Sequence, residues 1–520
     1  AILEEAPRRA EPGAEVRPGH LLCLSARDDD ALCDLASSAV AALAAGVEEG
    51  ALCRAAGAGR RHFEERLAVV AGSASSLRHP LAAWLEGRDV PGVVRGRSGA
   101  VAPRVAFLFP GQGTQYIGMG RGLYRTELAF REALDRCASL CAGFLDRPLL
   151  ELLHPQEGTA GPLDETRYAQ PAVFAIEWAL ASLWRSWGVE PAFVLGHSLG
   201  EYAAAAVSGA LALEDALRLV VERARLMNET SASGAMAALE ASEGEVTVAV
   251  REAGGTVSIA AVNGPEDVVL SGEAEALGAV LAPFEARGVR VRRLKIPHAA
   301  HSALLDPVLD EFERRAAGVS TGRPEVGYVS NLTGARVDGG VALDARYWRR
   351  HARETVRFLD GIRTLAREGC DALLEVGPRT TLLALAAKCL PGDGAIGWPS
   401  LREGEDESAT MLASLGALYA RGLSIDWTGF DPGARQVRGS RAPGYPFRRR
   451  RFWVDGPTEP ERPACACEVV WSEAPAARSP DPAAPGSILV RCARPALRSK
   501  ILHRLGAAAV ESLEGGPASI

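Results

Sequence analysis

The stretch VLGHSLGEYAAA, residues 194–205, decides the fold. Its first half completes the apolar run AFVLG (192–196), which reads as a short buried strand. Its second half opens EYAAAAVSGAL (201–211), rich in the strongest helix former and predicted to be a helix. Between them, Gly196-His197-Ser198-Leu199-Gly200 is a G-x-S-x-G turn. Flanking glycines permit a sharp strand-to-helix turn that projects the serine hydroxyl above the sheet edge. Free N–H groups at the start of the following helix offer positive potential to a developing oxyanion. Five residues leave two readings open: Ser198 as a nucleophile, or as a helix cap, a position that serine favours.

The bulk composition narrows the class. A chain of 520 residues has room for about two to four domains. Its 47% hydrophobic content and net charge of −7 describe a soluble globular protein. No apolar run reaches the roughly 18 residues needed to span a bilayer, so no membrane partner is expected. The chain opens without methionine, at AILEEAP, with no signal peptide, and stops at GGPASI; it reads as a fragment of a longer polypeptide. Its ten cysteines include Cys137 and Cys141 four apart and Cys465 and Cys467 two apart, with no C-x-x-C. Neither a metal site nor a disulfide framework is indicated, and a reduced cytoplasmic setting is expected. The arginine run at 448–451 has no stacking repeats around it, so nucleic acid is not an expected partner.

Along the chain, residues 1–18 read as a Pro- and Glu-rich linker. HLLCLSA (20–26), a helical pattern near 28–46, RLAVVAG (66–72) and a helix near 74–86 suggest a small α/β module. PGVVRGRSGAVAP (91–103) reads as a second linker. VAFLFPG (105–111) opens a larger region where apolar strands alternate with Ala/Leu-rich helices, the pattern of a mostly parallel sheet. From 234 to 294 the order becomes β-α-β-β-α-β, a ferredoxin-like insert. SILVRC (487–492) follows a long Pro/Ala-rich stretch, so a new unit is expected from about 468. The helix RPALRSKILHRLG after it lacks the glycines of a dinucleotide fingerprint, so no cofactor is assigned.

A nucleophilic serine needs a base. His197 is adjacent in sequence, and its side chain is expected to point away from that of Ser198. His298 and His301 form HAAH (298–301) just after the strand RLKIP, where a base at the mouth of a sheet belongs; a structural role for the pair is the alternative. On the helix EDALRLVVERARLMNE (214–229), Arg223 has Leu219, Val220, Leu226 and Met227 at i±3 and i±4, so its face points into protein. Arg218 and Arg225 lie on the wet side. A buried guanidinium requires an anion, either an internal carboxylate or a substrate carboxylate beside Ser198. The Gly-rich LFPGQGTQYIGMG (108–120) fails both phosphate-loop patterns, but a Gly-flanked Gln112 can present its backbone N–H to an oxyanion.

In this order, these pieces resemble the malonyl-CoA:acyl carrier protein transacylase family, and within it the acyltransferase domain of modular type I polyketide synthases. The pieces are FPGQGTQ (109–115), QPAVFAIEWAL (170–180), GHSLGEY (196–202), VVERARLM (220–227), HAAH (298–301), SNLTG (330–334), YWRRHARETVRF (347–358) and LLEVGP (373–378). The resemblance implies an α/β fold: a hydrolase-like core with a mostly parallel sheet (101–233 and 295–400) and the ferredoxin-like subdomain (234–294) inserted in it. A small α/β linker domain (19–100) precedes that core. It further implies that ILEEAP (2–7), within 1–18, is the tail of a ketosynthase. Residues 401–467, which include YPFRRRRFW (445–453), look like the linker that folds back toward that ketosynthase. Residues 468–520, with EVVW (468–471), look like the start of a ketoreductase's structural half.

By the same resemblance Ser198 is acylated, His301 is its base, and Arg223 pairs with the free carboxylate of the extender unit. Backbone N–H groups of Gln112 and Leu199 form the oxyanion hole, and a backbone carbonyl of His351 orients the base. His197, His298 and Ala300 line the substrate site. The position of HAAH commonly reads HAFH in malonyl-selective members and YASH in methylmalonyl-selective ones. His298 and Leu199 therefore imply malonyl, while Ala300 leaves space near the α-carbon. The implied partners are malonyl-CoA, a phosphopantetheinyl acyl carrier protein and the adjacent ketosynthase, with no covalently bound cofactor. The competing readings are an α/β-hydrolase acting as esterase or thioesterase, a methylmalonyl-selective acyltransferase, and a silent scaffold segment.

Overall fold

A computed structural model describes residues 19–447 apart from 73–75, 157–160, 230–233, 295–297, 338–341, 391–395 and 434–441. The readings made for 1–18, for 448–467 and for 468–520 lie outside the described residues.

The first module is a three-stranded antiparallel sheet in the order β1 (His20–Ala26), β2 (Glu65–Ala71), β3 (Val93–Arg97). Helices Asp29–Ala44, Glu49–Gly57 and Arg78–Leu85 accompany it, the first capped by the Asp28 carboxylate on the Ala31 N–H. Strand β3 corrects the linker reading of 91–103. VVRGR is short, glycine-interrupted and partly exposed, so it lacks the apolar alternation that marks a strand, yet its backbone completes the ladder with β2. β1 and β2 are buried along nearly their whole length because both sheet faces are covered. Helix Glu407–Ala420 packs on the face of Leu21 and Ala68, where Gly416 lets the two backbones approach.

The chain then enters the larger sheet through β4 (Val105–Phe109) and β5 (Phe193–Gly196), paired in parallel with Phe109 opposite Gly196. It leaves to build β6 (Gly234–Leu239), β7 (Val257–Gly264), β8 (Asp267–Glu273) and β9 (Val291–Arg293), and returns as β10 (Gly327–Val329), β11 (Ala372–Glu375) and β12 (Ile396–Pro399). The five parallel strands stand in the order β10-β5-β4-β11-β12. Each residue of β4, β5 and β11 is buried, as expected for a parallel sheet with helices on both faces.

The insert is antiparallel in the order β7-β8-β6-β9, with helices Glu243–Glu252 and Ala274–Ala286 in its crossovers, which is the ferredoxin-like arrangement. Ser242 and Glu245 close a reciprocal capping box at the first of these helices. The helix predicted through residue 211 is shorter: it spans Gly200–Val207, and the chain turns at Gly209 (φ 78°).

Among the described residues no helix is long and apolar enough to cross a membrane, no group of three or more metal-ligating side chains gathers, and the cysteines are free thiols.

Candidate active site

The turn after β5 is built on two close approaches. A Cβ on Gly200 would lie 2.0 Å from the Phe109 carbonyl oxygen, and one on Gly196 would lie 2.2 Å from the Glu201 nitrogen. Only glycine fits either place, so the helix Gly200–Val207 can start hard against the ends of β4 and β5. The turn leaves Ser198 at φ 51°, and His301 stands at φ 57°. Among the described residues these are the two non-glycines in the left-handed region, and such strain collects where the surroundings over-determine a geometry.

The two strained residues meet. Ser198 Oγ lies 2.7 Å from His301 Nε2, across 103 positions of sequence. His301 Nδ1 lies 2.9 Å from the backbone carbonyl oxygen of Glu354. A carbonyl only accepts, so Nδ1 carries the proton and Nε2 is left to accept from the serine hydroxyl. Burial pushes the His301 imidazole well below the ordinary histidine value, and the Arg223 and His351 side chains add to the shift. The ring is therefore neutral at pH 7, the form in which it can take a proton.

The carbonyl that faces His301 Nδ1 belongs to Glu354, which corrects the assignment to His351. Residue 351 lies inside the last turn of helix Ala345–Arg353, whereas Glu354 has left that helix (φ −90°, ψ 168°) and turns its carbonyl to the ring. His351 instead buries its side chain with Nε2 3.4 Å from Glu201 Oε2. Glu201, in the first turn of the helix after Ser198, also accepts from Tyr328 O–H at 2.8 Å, from the Asn331 backbone N–H at 3.1 Å, and from the Asn331 amide and Tyr347 hydroxyl. This network anchors the serine's helix to the loop after β10.

Arg223 is 3% exposed, and none of the described carboxylates lies within ion-pair distance of it. Nη1 donates to Gln170 Oε1 at 2.7 Å, Nη2 to Ser198 Oγ at 3.1 Å, and Nε has no acceptor among the described residues. Burial lowers its pKa from the usual arginine value. Arg218 and Arg225 pair on the exposed side with Asp215, Glu222 and Glu229, as the helical periodicity predicts. Behind Arg223, the Gln170 amide donates to Gln112 Oε1 at 3.0 Å, and the Gln112 amide donates to Thr166 Oγ1 at 3.0 Å. Among the described residues the Gln112 and Leu199 backbone N–H groups have no acceptor, while the Leu199 side chain is sunk in the core.

The remaining predicted residues divide. Ala300 is half-buried against both main apolar clusters. His298 has a buried Nδ1 without a partner among the described residues, and burial lowers its pKa. His197 turns away from Ser198: its Nε2 lies 2.8 Å from Asn263 Oδ1 at the end of β7, its ring packs on Phe358, and burial lowers its pKa. Gln170, Glu354 and Asn263 went unassigned in the sequence. Gln170 stood inside a quoted motif, at the head of an apolar helix where a buried amide asks for a partner.

Such a serine–imidazole pair beside an unpaired buried guanidinium agrees with what this chain resembles. The "Acyl transferase domain" family matches residues 106–412, and "CurL-like, PKS C-terminal" matches residues 20–81. "Polyketide synthase GfsA" of Streptomyces halstedii is 40% identical over 422 residues, which cover 80% of this chain and 6% of that protein. Two other synthases are likewise spanned over only 21% and 22% of their lengths. Among solved structures, the acyltransferase domain from the second module of the salinomycin polyketide synthase is 41% identical with a TM-score of 0.69, covering 82% of this chain and 98% of that one. The acyl transferase domain of SpnD, solved in complex with 2-(pent-4-yn-1-yl)malonyl, is 34% identical with a TM-score of 0.69, covering 78% and 96%. A family match over more than half its length, together with these neighbours, places the chain in the acyl transferase domain family, as found in modular polyketide synthases.

Proposed function

We propose that this acyltransferase takes a malonyl-type extender unit from its coenzyme A thioester onto Ser198, and passes it to the phosphopantetheine thiol of an acyl carrier protein. The observation that carries the reading is Arg223: a buried guanidinium with no carboxylate partner among the described residues and one nitrogen 3.1 Å from the Ser198 hydroxyl. A substrate that brings its own carboxylate to within reach of Ser198 completes the ion pair that the protein leaves open. The carboxylated 2-(pent-4-yn-1-yl)malonyl group held by the SpnD domain supports it.

The geometry supports both half-reactions of this reading. The Ser198 proton moves to His301 Nε2 as Oγ bonds to the thioester carbonyl carbon. Charge on the tetrahedral oxygen meets the open N–H groups of Gln112 and Leu199. The C–S bond breaks, and the departing thiolate takes the proton from His301. A carrier thiol then repeats the sequence in reverse roles and frees Ser198. No acidic third residue is needed, because the Glu354 carbonyl already sets the tautomer.

Arg223→Ala is expected to lose carboxylated substrates selectively. An unpaired charge left in a buried site costs about 3–5 kcal/mol, so kcat/KM for malonyl-CoA should fall on the order of 10²-fold or more, while acetyl-CoA is little affected or gains. Loading of both thioesters, read by intact-protein mass spectrometry, checks this. Equal losses would make Arg223 a structural residue and overturn the proposal.

Within the malonyl class, His298 and Leu199 favour malonyl itself, and the small half-buried Ala300 relaxes the preference. One methyl group in an apolar pocket is worth about 1–3 kcal/mol, so methylmalonyl-CoA is expected as a slower substrate. Ala300→Phe should sharpen the preference for malonyl in a direct competition between the two thioesters. Predominant methylmalonyl loading by the unaltered chain would reverse this assignment.

A further inference from the structure

The base is oriented by a carbonyl on a segment that the inserted subdomain holds in place. Helix Ala345–Arg353 ends with Glu354 N–H bonded to the Arg350 carbonyl at 2.7 Å, which fixes the near side of the Glu354 residue. The far side is tied to β7. Thr355 Oγ1 donates to the Ile259 carbonyl at 2.7 Å, Val356 N–H to the Ala260 carbonyl at 2.9 Å, and Val262 N–H to the Val356 carbonyl at 2.9 Å. Val356, which belongs to none of the named strands, thereby forms an isolated parallel bridge with Ala261 of β7. Between these two attachments sits the peptide whose oxygen receives the His301 Nδ1 proton. Two of the bonds to β7 are backbone bonds that any residue could make; the third is made by one side chain.

We infer that Thr355 is a positioning residue for acyl transfer, its hydroxyl clamping the Glu354–Thr355 peptide to β7 so that the Glu354 carbonyl stays aimed at His301 Nδ1. Thr355 touches neither substrate nor the reacting atoms. It acts through the carbonyl, and through it the placement of the inserted subdomain is transmitted to the base. The same strand also holds His197 through Asn263, so β7 braces both histidines nearest Ser198 in sequence or space. Losing the hydroxyl frees the peptide to rock about its remaining bonds. The correct imidazole tautomer is then less favoured, and the imidazolium that forms during transfer is less stabilised. Substrate binding at Arg223 is untouched, so the loss falls on kcat.

The inference rests on the proposed acyl transfer to Ser198, and the test separates the two. Thr355→Val keeps the shape and removes the hydroxyl; Thr355→Ser restores it. Thr364→Val serves as comparison, since it deletes a threonine bond more deeply buried than that of Thr355, to the Gly334 carbonyl at 2.6 Å, that leads to no catalytic group. Malonyl loading of the full chain is measured under single-turnover conditions together with the melting temperature. Thr355→Val is expected to lower kcat about threefold to tenfold at unchanged KM, the size carried by one lost hydrogen bond. Thr355→Ser should recover most of the rate, and Thr364→Val should lose stability without losing rate. A Thr355→Val chain that loads as fast as the unaltered one overturns the inference alone. So does an equal rate loss in Thr364→Val. An unaltered chain that takes no acyl group overturns the reading of the site and the inference with it.

Discussion

Ser198→Ala is expected to abolish acyl loading: intact-protein mass spectrometry after incubation with malonyl-CoA should show no added malonyl group, where the unaltered chain shows one. The change removes one oxygen atom. The turn keeps its shape, because Gly196 and Gly200 create it by their contacts with Glu201 and Phe109, and the Glu201 network anchors the helix that follows. A melting temperature close to that of the unaltered chain should accompany the lost adduct. Persistent loading in this variant would remove Ser198 from the mechanism.

His301→Ala comes second in size. General-base assistance is worth about 10²–10⁴-fold, and in the proposed mechanism His301 serves both half-reactions, so acylation and deacylation should slow together by that range. His298→Ala should cost far less, its ring being held by no bond to Ser198 or to the base; a larger effect there would reverse the two roles. The pH dependence has a definite sign. His301 is held well below the usual 6.5 by burial and by the positive Arg223 beside it, so it remains the neutral base as pH falls through the ordinary histidine range. The loading rate should be flat through neutral pH and decline only in more acidic solution, and the His301→Ala variant should lose that limb. A limb centred at or above the ordinary histidine value would contradict the burial.

Much of this was legible in the residues because it depended on short-range rules. The G-x-S-x-G turn announces itself through the need for two glycines, and the structure shows each in contact with backbone that a side chain would displace. The buried face of Arg223 follows from the 3.6-residue period of its helix alone. What escaped depended on tertiary neighbours. β3 is invisible as a strand because its residues are half-exposed at a sheet edge, and only its ladder with β2 defines it. The orienting carbonyl was placed at His351, three residues early, since a backbone oxygen carries no side-chain signature and the end of helix Ala345–Arg353 decides which one is free. Gln170 and Asn263 take their parts from partners 53 and 66 positions away.

The helix Glu407–Ala420 has a consequence for where this protein can be cut. Glu407 gathers the backbone N–H groups of Gly120, Gly122 and Leu123 at 2.7 to 3.1 Å, while Arg66 of β2 reaches the Tyr419 and Leu423 carbonyls at 2.9 and 2.8 Å. The apolar residues between, from Met411 to Tyr419, lie in one continuous cluster with Leu21 of the first sheet and Phe107 of the second. The family match ends at 412, in the middle of this helix. A transplant drawn to that boundary would sever the rivet between two sheets and bare the oily underside of both. The portable unit is larger than the catalytic one: it begins with β1 and runs past Leu423, and any graft of this domain into another assembly line has to carry its own clasp.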